Sequence, residues 1–178
     1  VIFAIPPLLF AGASYALVRG LFLDYPKASI DGELLSRKEQ AIVAACADAF
    51  FPAGGPIPIS GTEAGLVAYF DAYAARLPKG QGLLVRLLLW FIEHGPWVFG
   101  PRAKRFTKMR HDERLAVLAS MQKSPIYFRR VAFLSMRTML TMGYLAHPDV
   151  CRAMHLVHDP DPFRASAREV VAPLEQAS

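Results

Sequence analysis

The residues able to do chemistry are few, and their spacing is poor. Histidines stand at His94, His111, His147, His155 and His158. Only His155 and His158, three positions apart, can share a helix face with a carboxylate near by, and Asp149 or Asp159 would extend them to a metal set. A working centre needs three or four converging ligands and groups that orient them, whereas this stretch ends in Asp-Pro turns. Cys46 and Cys151 are the two cysteines, far apart in the chain. No Cys-x-x-Cys, Cys-x-x-Cys-His or zinc-type spacing is present, which argues against haem c, iron–sulfur and structural zinc. Cys46 falls on an apolar helical stripe and reads as a buried thiol, with a disulfide to Cys151 left open in an oxidising compartment.

Glu63, Asp71 and Glu93 are the candidate carboxylates. A capping role accounts for Glu63 and solvent for Asp71. No nucleophile elbow accompanies the serines. The glycines of residues 52–60 lack the GxGxxG or Walker context of a phosphate cradle. Met136, Met139 and Met142 recur at helical spacing without a histidine or cysteine in the same turns, so core packing or an interface explains them better than copper.

The elements that would position such groups are helical. Of 178 residues 53% are hydrophobic and 20% charged, too apolar for disorder and suited to one main domain. Ser36 stands three residues before Glu39, a capping-box spacing, and Ile42, Ala45, Cys46, Ala49 and Phe50 then keep one side of a 3.6-residue period up to Pro52. This helix, 35–51, is the element around which the chain is organised. Ser60 and Glu63 repeat the capping spacing ahead of Leu66, Val67, Phe70, Tyr73 and Leu77. Residues 83–92 are apolar nearly all round except for Arg86, which predicts the central helix of the bundle, closed by Gly95-Pro96. Residues 97–109 read as a loop or interrupted helix and 112–121 as a helix. Ser124-Pro125 reads as a cap and first helical position for a long helix over 125–145. A short helix starts at His147-Pro148-Asp149.

The expected fold class is therefore all-α, an irregular bundle of about five to seven helices with an apolar N-terminal segment. Its divisions are 1–23 (anchor, docking arm or export-signal remnant), a linker over 24–34, the helical domain over 35–158 and an irregular tail over 159–178. Residues 1–18 carry no charge, and about 17 residues after Pro7 would make a helix of roughly 26 Å, just short of a comfortable bilayer span. The formal net charge is +5. Arg102, Lys104, Arg105, Lys108, Arg110 and Arg114 stand against Asp112 and Glu113, a patch whose simplest reading is solvated surface. With no reading module beside it, nucleic acid is not an expected partner.

The order of short motifs carries a resemblance. It runs Leu35-Ser36-x-x-Glu39-Gln40-Ala41, then Ala44-Ala45-Cys46-Ala47-Asp48-Ala49-Phe50-Phe51-Pro52 and Tyr69-Phe70-Asp71. The leucine-rich 83–90 follows, then Arg105-Phe106-Thr107 with Glu113-Arg114, and Gly143-Tyr144-Leu145-Ala146-His147-Pro148-Asp149-Val150. Together these resemble the small subunit (subunit 3) of membrane-associated gluconate 2-dehydrogenase and the gamma subunits of related FAD-dependent dehydrogenases. The resemblance covers about residues 34–154. It implies a non-catalytic small subunit that binds, stabilises and helps export or anchor a large flavoprotein of the glucose–methanol–choline type. FAD would sit in that partner and not in this chain, a cytochrome c subunit would take the electrons onward, and the site would be membrane-associated on the periplasmic side.

The resemblance and the surplus of apolar residues together predict a partner surface. Aromatics and arginines dominate interface energies, so the expected contacts are Phe50, Phe51, Ile57, Ile59, Trp90, Trp97, Phe99, Arg102, Arg105 and Phe106. Core packing competes with that role at Phe50 and Trp90. Two other functions stay open: a membrane-anchored scaffold or chaperone-like subunit of an unrelated complex, and a metal-dependent enzyme using His155 and His158.

Overall fold

The computed structural model describes Tyr15 and residues 24–78, 80–100 and 104–156; the expected anchor over 1–23 and tail over 159–178 lie outside them. The described chain is helical, without a strand: α1 Arg37–Phe50, α2 Leu66–Ala75, α3 Gln81–Phe99, a 3-10 turn Phe106–Lys108, α4 His111–Gln122, α5 Tyr127–Leu145 and α6 Pro148–Ala153. This is the all-α bundle expected from the periodicity.

Helix α1 is the hub. Its capping box forms as the spacing predicts, with Ser36 Oγ facing the Glu39 amide and the Glu39 carboxylate accepting from the Ser36 amide at 2.8 Å. Behind the cap Ile42, Val43, Ala45, Cys46, Ala47 and Ala49 are buried, and α2, α3, α4, α5 and the 3-10 turn all pack on the helix. Small residues let those neighbours come close. Gly61 approaches so nearly that a Cβ there would lie 2.7 Å from the Ala47 carbonyl oxygen. Each buried Ile or Val contributes about 1.5–3 kcal/mol of transfer free energy.

Three boundaries differ from the sequence expectation. Ser60 and Glu63 do make their box, with the Ser60 amide donating to Glu63 at 2.8 Å. They close a turn, however, and α2 starts only after Gly65, whose φ of +66° interrupts the right-handed course. Helix α3 runs through Gly95-Pro96 to Phe99, where the Gly100 amide bonds to the Pro96 carbonyl. A proline forfeits one ladder bond, and burial of Pro96 against the bundle offsets that loss. Ser124 does not cap α5 directly. Its hydroxyl accepts from the Ile126 amide at 3.2 Å, and the helix begins at Tyr127.

The largest correction concerns α3. It is not the central helix: it buries only Val85, Leu89, Ile92, Glu93 and Pro96, and leaves Leu83, Leu84, Leu87, Trp90 and Val98 exposed. An apolar residue list cannot say which side of a helix a bundle covers. Here α1 takes the centre because its small side chains admit neighbours all round.

Candidate functional site

Two kinds of candidate survive folding: carboxylates taken inside the bundle, and apolar side chains left outside it. The first kind begins with Glu93, fully buried on the inner face of α3. It accepts from the Tyr25 hydroxyl at 2.9 Å, the Thr107 hydroxyl at 2.7 Å and the Thr107 amide at 3.0 Å, with the Arg105 guanidinium 3.9 Å away. Arg105 is itself buried, stacks on the Tyr25 ring at 4.5 Å and donates to the Asp24 carbonyl at 3.3 Å. Burial and then the Glu93 charge push the Tyr25 phenol up to about 12. Beside it Lys38 Nζ lies 3.1 Å from His94 Nε2, and burial, first among the causes, lowers the pKa of both. The cluster clamps the linker at 24–25 to α3, and both Glu93 oxygens are engaged in doing so. Sequence reasoning gave Glu93 no role because its partners lie in two distant segments.

Asp71 corrects a second expectation. It is buried on α2 rather than solvated, and accepts from the amides of Glu33 at 2.7 Å, Leu34 at 3.1 Å and Leu35 at 2.6 Å. Burial pushes its carboxyl up, but the three amides outweigh that and hold it below the usual range. Gln40 does the same work with its amide, bonding Ser29, Ile30 and Leu35. Glu63 is a cap, as expected, and hydrogen bonds from Ser60 lower its pKa.

The basic patch divides: Lys104, Lys108 and Arg110 are exposed, as expected of solvated surface, whereas Arg105 and Arg114 are drawn inward. Arg105 is interior, Arg114 donates to the Phe106 and Thr107 carbonyls, and Lys104, Lys108 and Arg110 pair with Glu113, Asp24 and Asp112. Arg102 lies outside the described residues. Among the described residues no group of three or more His, Cys, Asp or Glu could hold a metal, and His158 and Asp159 fall outside them. Cys46 and Cys151 are both buried free thiols, and burial pushes Cys46 up. Met136 is core, whereas Met142 faces outward.

The expected contact residues divide. Phe106 and Arg105 are corrections: both are buried within this chain, because the 3-10 turn is drawn between α1 and α3, and they offer no surface. Phe50 and Phe51 are half-buried, Phe50 against Phe133 at 5.9 Å between ring centres and Phe51 stacked on Tyr144 at 3.9 Å. Ile57 and Ile59 pack partly on the core from the 52–60 loop, and Tyr144 donates its hydroxyl to the Ile59 carbonyl. Trp90, Trp97 and Phe99 are exposed on α3. At 100° per residue, Trp97, Trp90, Leu83, His94, Leu87, Val98 and Leu84 follow one another around an arc of about 140°. Of these only His94 is polar. Trp90 is 54% exposed and Val98 76%.

A cleft of about 540 Å³ opens between α3 and α4 and reaches Arg129 of α5. Its carboxylates are already committed: Asp112 pairs with Arg110, and Glu113 accepts from the Arg110 amide. Arg129 lies over the Phe99 ring at 4.6 Å and donates to Ser120. No family model, curated protein or solved structure matches the chain.

Proposed function

We propose that this chain is the non-catalytic small subunit of an FAD-dependent oxidoreductase, binding and stabilising a large flavoprotein of the glucose–methanol–choline type. The observation that carries the reading is that the motifs behind the resemblance meet one another in space. Phe51 stacks on Tyr144. A Cβ on Gly143 would sit 2.4 Å from the Tyr69 ring. Asp71 binds the segment leading to the Ser36 cap. Arg105, Phe106 and Thr107 are held by Glu93 and Arg114. A pattern whose members hold each other belongs to a framework, and the carboxylates that could have reacted are engaged by backbone amides and by side-chain hydroxyls.

In this role the oxidation and the FAD belong to the partner, and a cytochrome c subunit carries the electrons on. The small subunit contributes surface, including the half-buried Ile57 and Ile59 on a loop stiffened by prolines. The test is to purify the tagged chain from its native source in mild detergent and record subunit masses and the visible spectrum. A co-purifying large yellow protein with a flavin spectrum is expected, and its recovery should fall when the small subunit is deleted. A stable monomer with no flavoprotein attached would overturn the proposal, and a large partner of another kind would favour the membrane-anchored scaffold.

A further inference from the structure

Helix α3 asks for something on its outer side. We infer that this face, continued by the first turn of α5, lies in the interface of an anionic phospholipid bilayer with the helix axis in the membrane plane. The inference goes beyond the flavoprotein reading and does not rest on it.

Three observations point to lipid. The first is composition: Gln81–Phe99 is long and apolar enough to cross a membrane by those measures. Its inner face, though, holds Glu93 with Tyr25 and Thr107 inside the bundle, so crossing would strip a buried carboxylate of its donors, at a cost of several kcal/mol. Lying flat exposes only the stripe that is already outside. The second is charge. Helices α3 and α5 are each 19 residues long, and their one carboxylate is Glu93, which is buried. At the margins of the stripe Arg130 lies over the Tyr127 ring at 5.7 Å, and the half-exposed Arg86 pairs with Glu39 at 3.5 Å. The two helices join where the Phe91 ring meets Phe128 edge-on at 4.9 Å. Aliphatic and tryptophan side chains bordered by arginine are the pattern of an interfacial helix on anionic lipid.

The third is where the remaining chain leaves. Asp24 and Tyr25, where the continuously described chain begins, are bonded to Arg105 and to Glu93 of α3, and the sequence ahead of them holds a run of 18 uncharged residues.

Both tryptophans of the sequence, Trp90 and Trp97, sit on the stripe, so tryptophan fluorescence, excited selectively over that of the six tyrosines, reads this face alone. The full chain would be mixed with vesicles of phosphatidylglycerol and phosphatidylcholine carrying brominated acyl chains, and with phosphatidylcholine vesicles of the same kind. Quenching and a blue shift with the anionic vesicles are expected. Leu87→Glu should abolish both while leaving the far-UV circular dichroism unchanged. Arg130→Gln should weaken anionic binding about fivefold. Unquenched tryptophans, even on vesicle-bound protein, would overturn the inference, and so would quenching indifferent to Leu87→Glu. Shielding of the tryptophans by the purified large flavoprotein, with none by vesicles, would also overturn it while leaving the proposed function standing.

Discussion

The two sides of α3 obey opposite rules. On the inner side a carboxylate, a guanidinium, a phenol and a threonine are packed out of water, and among the described residues no fully buried side-chain polar atom lacks a hydrogen-bond partner. On the outer side leucines and tryptophans face outward, and among the described residues no other helix covers them. The inner side is self-sufficient, because a buried charge is tolerated only when its bonding is complete. The outer side is incomplete in the same sense that a single layer of a bundle is incomplete. Exposed polar groups would have met solvent at no penalty, so an apolar stripe of this length implies a covering surface. Ionisable residues therefore mark the framework here, and apolar residues mark the place where the protein meets something else.

The contrast can be broken most severely at Glu93. Glu93→Ala leaves Arg105 as a buried charge without its counter-ion, and should lower unfolding free energy by about 3–5 kcal/mol. Guanidinium unfolding of the full chain would read the change, and Glu93→Gln should recover part of it.

Next in size is Asp71→Asn, which removes charge from three amide hydrogen bonds and should cost about 1.5–3 kcal/mol. Its pH dependence sharpens the point. The folded carboxyl lies below its unfolded value of about 3.9. Its stabilisation is therefore complete above that value and is lost as pH falls through the lower folded one. An acid titration of stability should show a shallower limb in Asp71→Asn than in the wild type; equal limbs would mean that Asp71 is not the group responsible.

Gly143→Ala should come third, at about 1–3 kcal/mol, since the new methyl would strike the Tyr69 ring. Tyr69→Ala in the same chain should restore most of the loss, as read by thermal denaturation.

Leu87→Glu should be the smallest, within about 0.5 kcal/mol in the isolated chain, although it places a charge in the middle of an apolar stripe. A large loss of stability there would mean that this chain itself covers the face, and the contrast between the two sides would fail. Thiol labelling gives a further check on the interior: Cys46 should stay unreactive until the protein unfolds, because burial disfavours its thiolate.

Much of the fold could be read along the chain. The Ser36–Glu39 box and the Ile42 to Ala49 stripe define α1 from neighbours within a few positions, and the structure reproduces them. Pairs separated by long stretches could not be read. Asp71 looks like a solvated side chain on α2 until the backbone of 33–35 arrives at its oxygens. Glu93 is an isolated carboxylate until Tyr25 and Thr107 close on it from segments 68 and 14 positions away. Arg105 and Phe106 looked like contact residues for the same reason: their types suit an interface, and only packing shows that the interface they fill is internal.

The sequence by itself determined which segments are helices and that apolar surface exceeds what one small core consumes, because caps, periodicity and composition are local or additive properties. Tertiary structure alone decided which helix is the hub, which carboxylates are withdrawn into the framework and which stripe of α3 is left facing outward. Those outcomes depend on which faces meet, and a face acquires its partner only when distant parts of the chain compete to cover it.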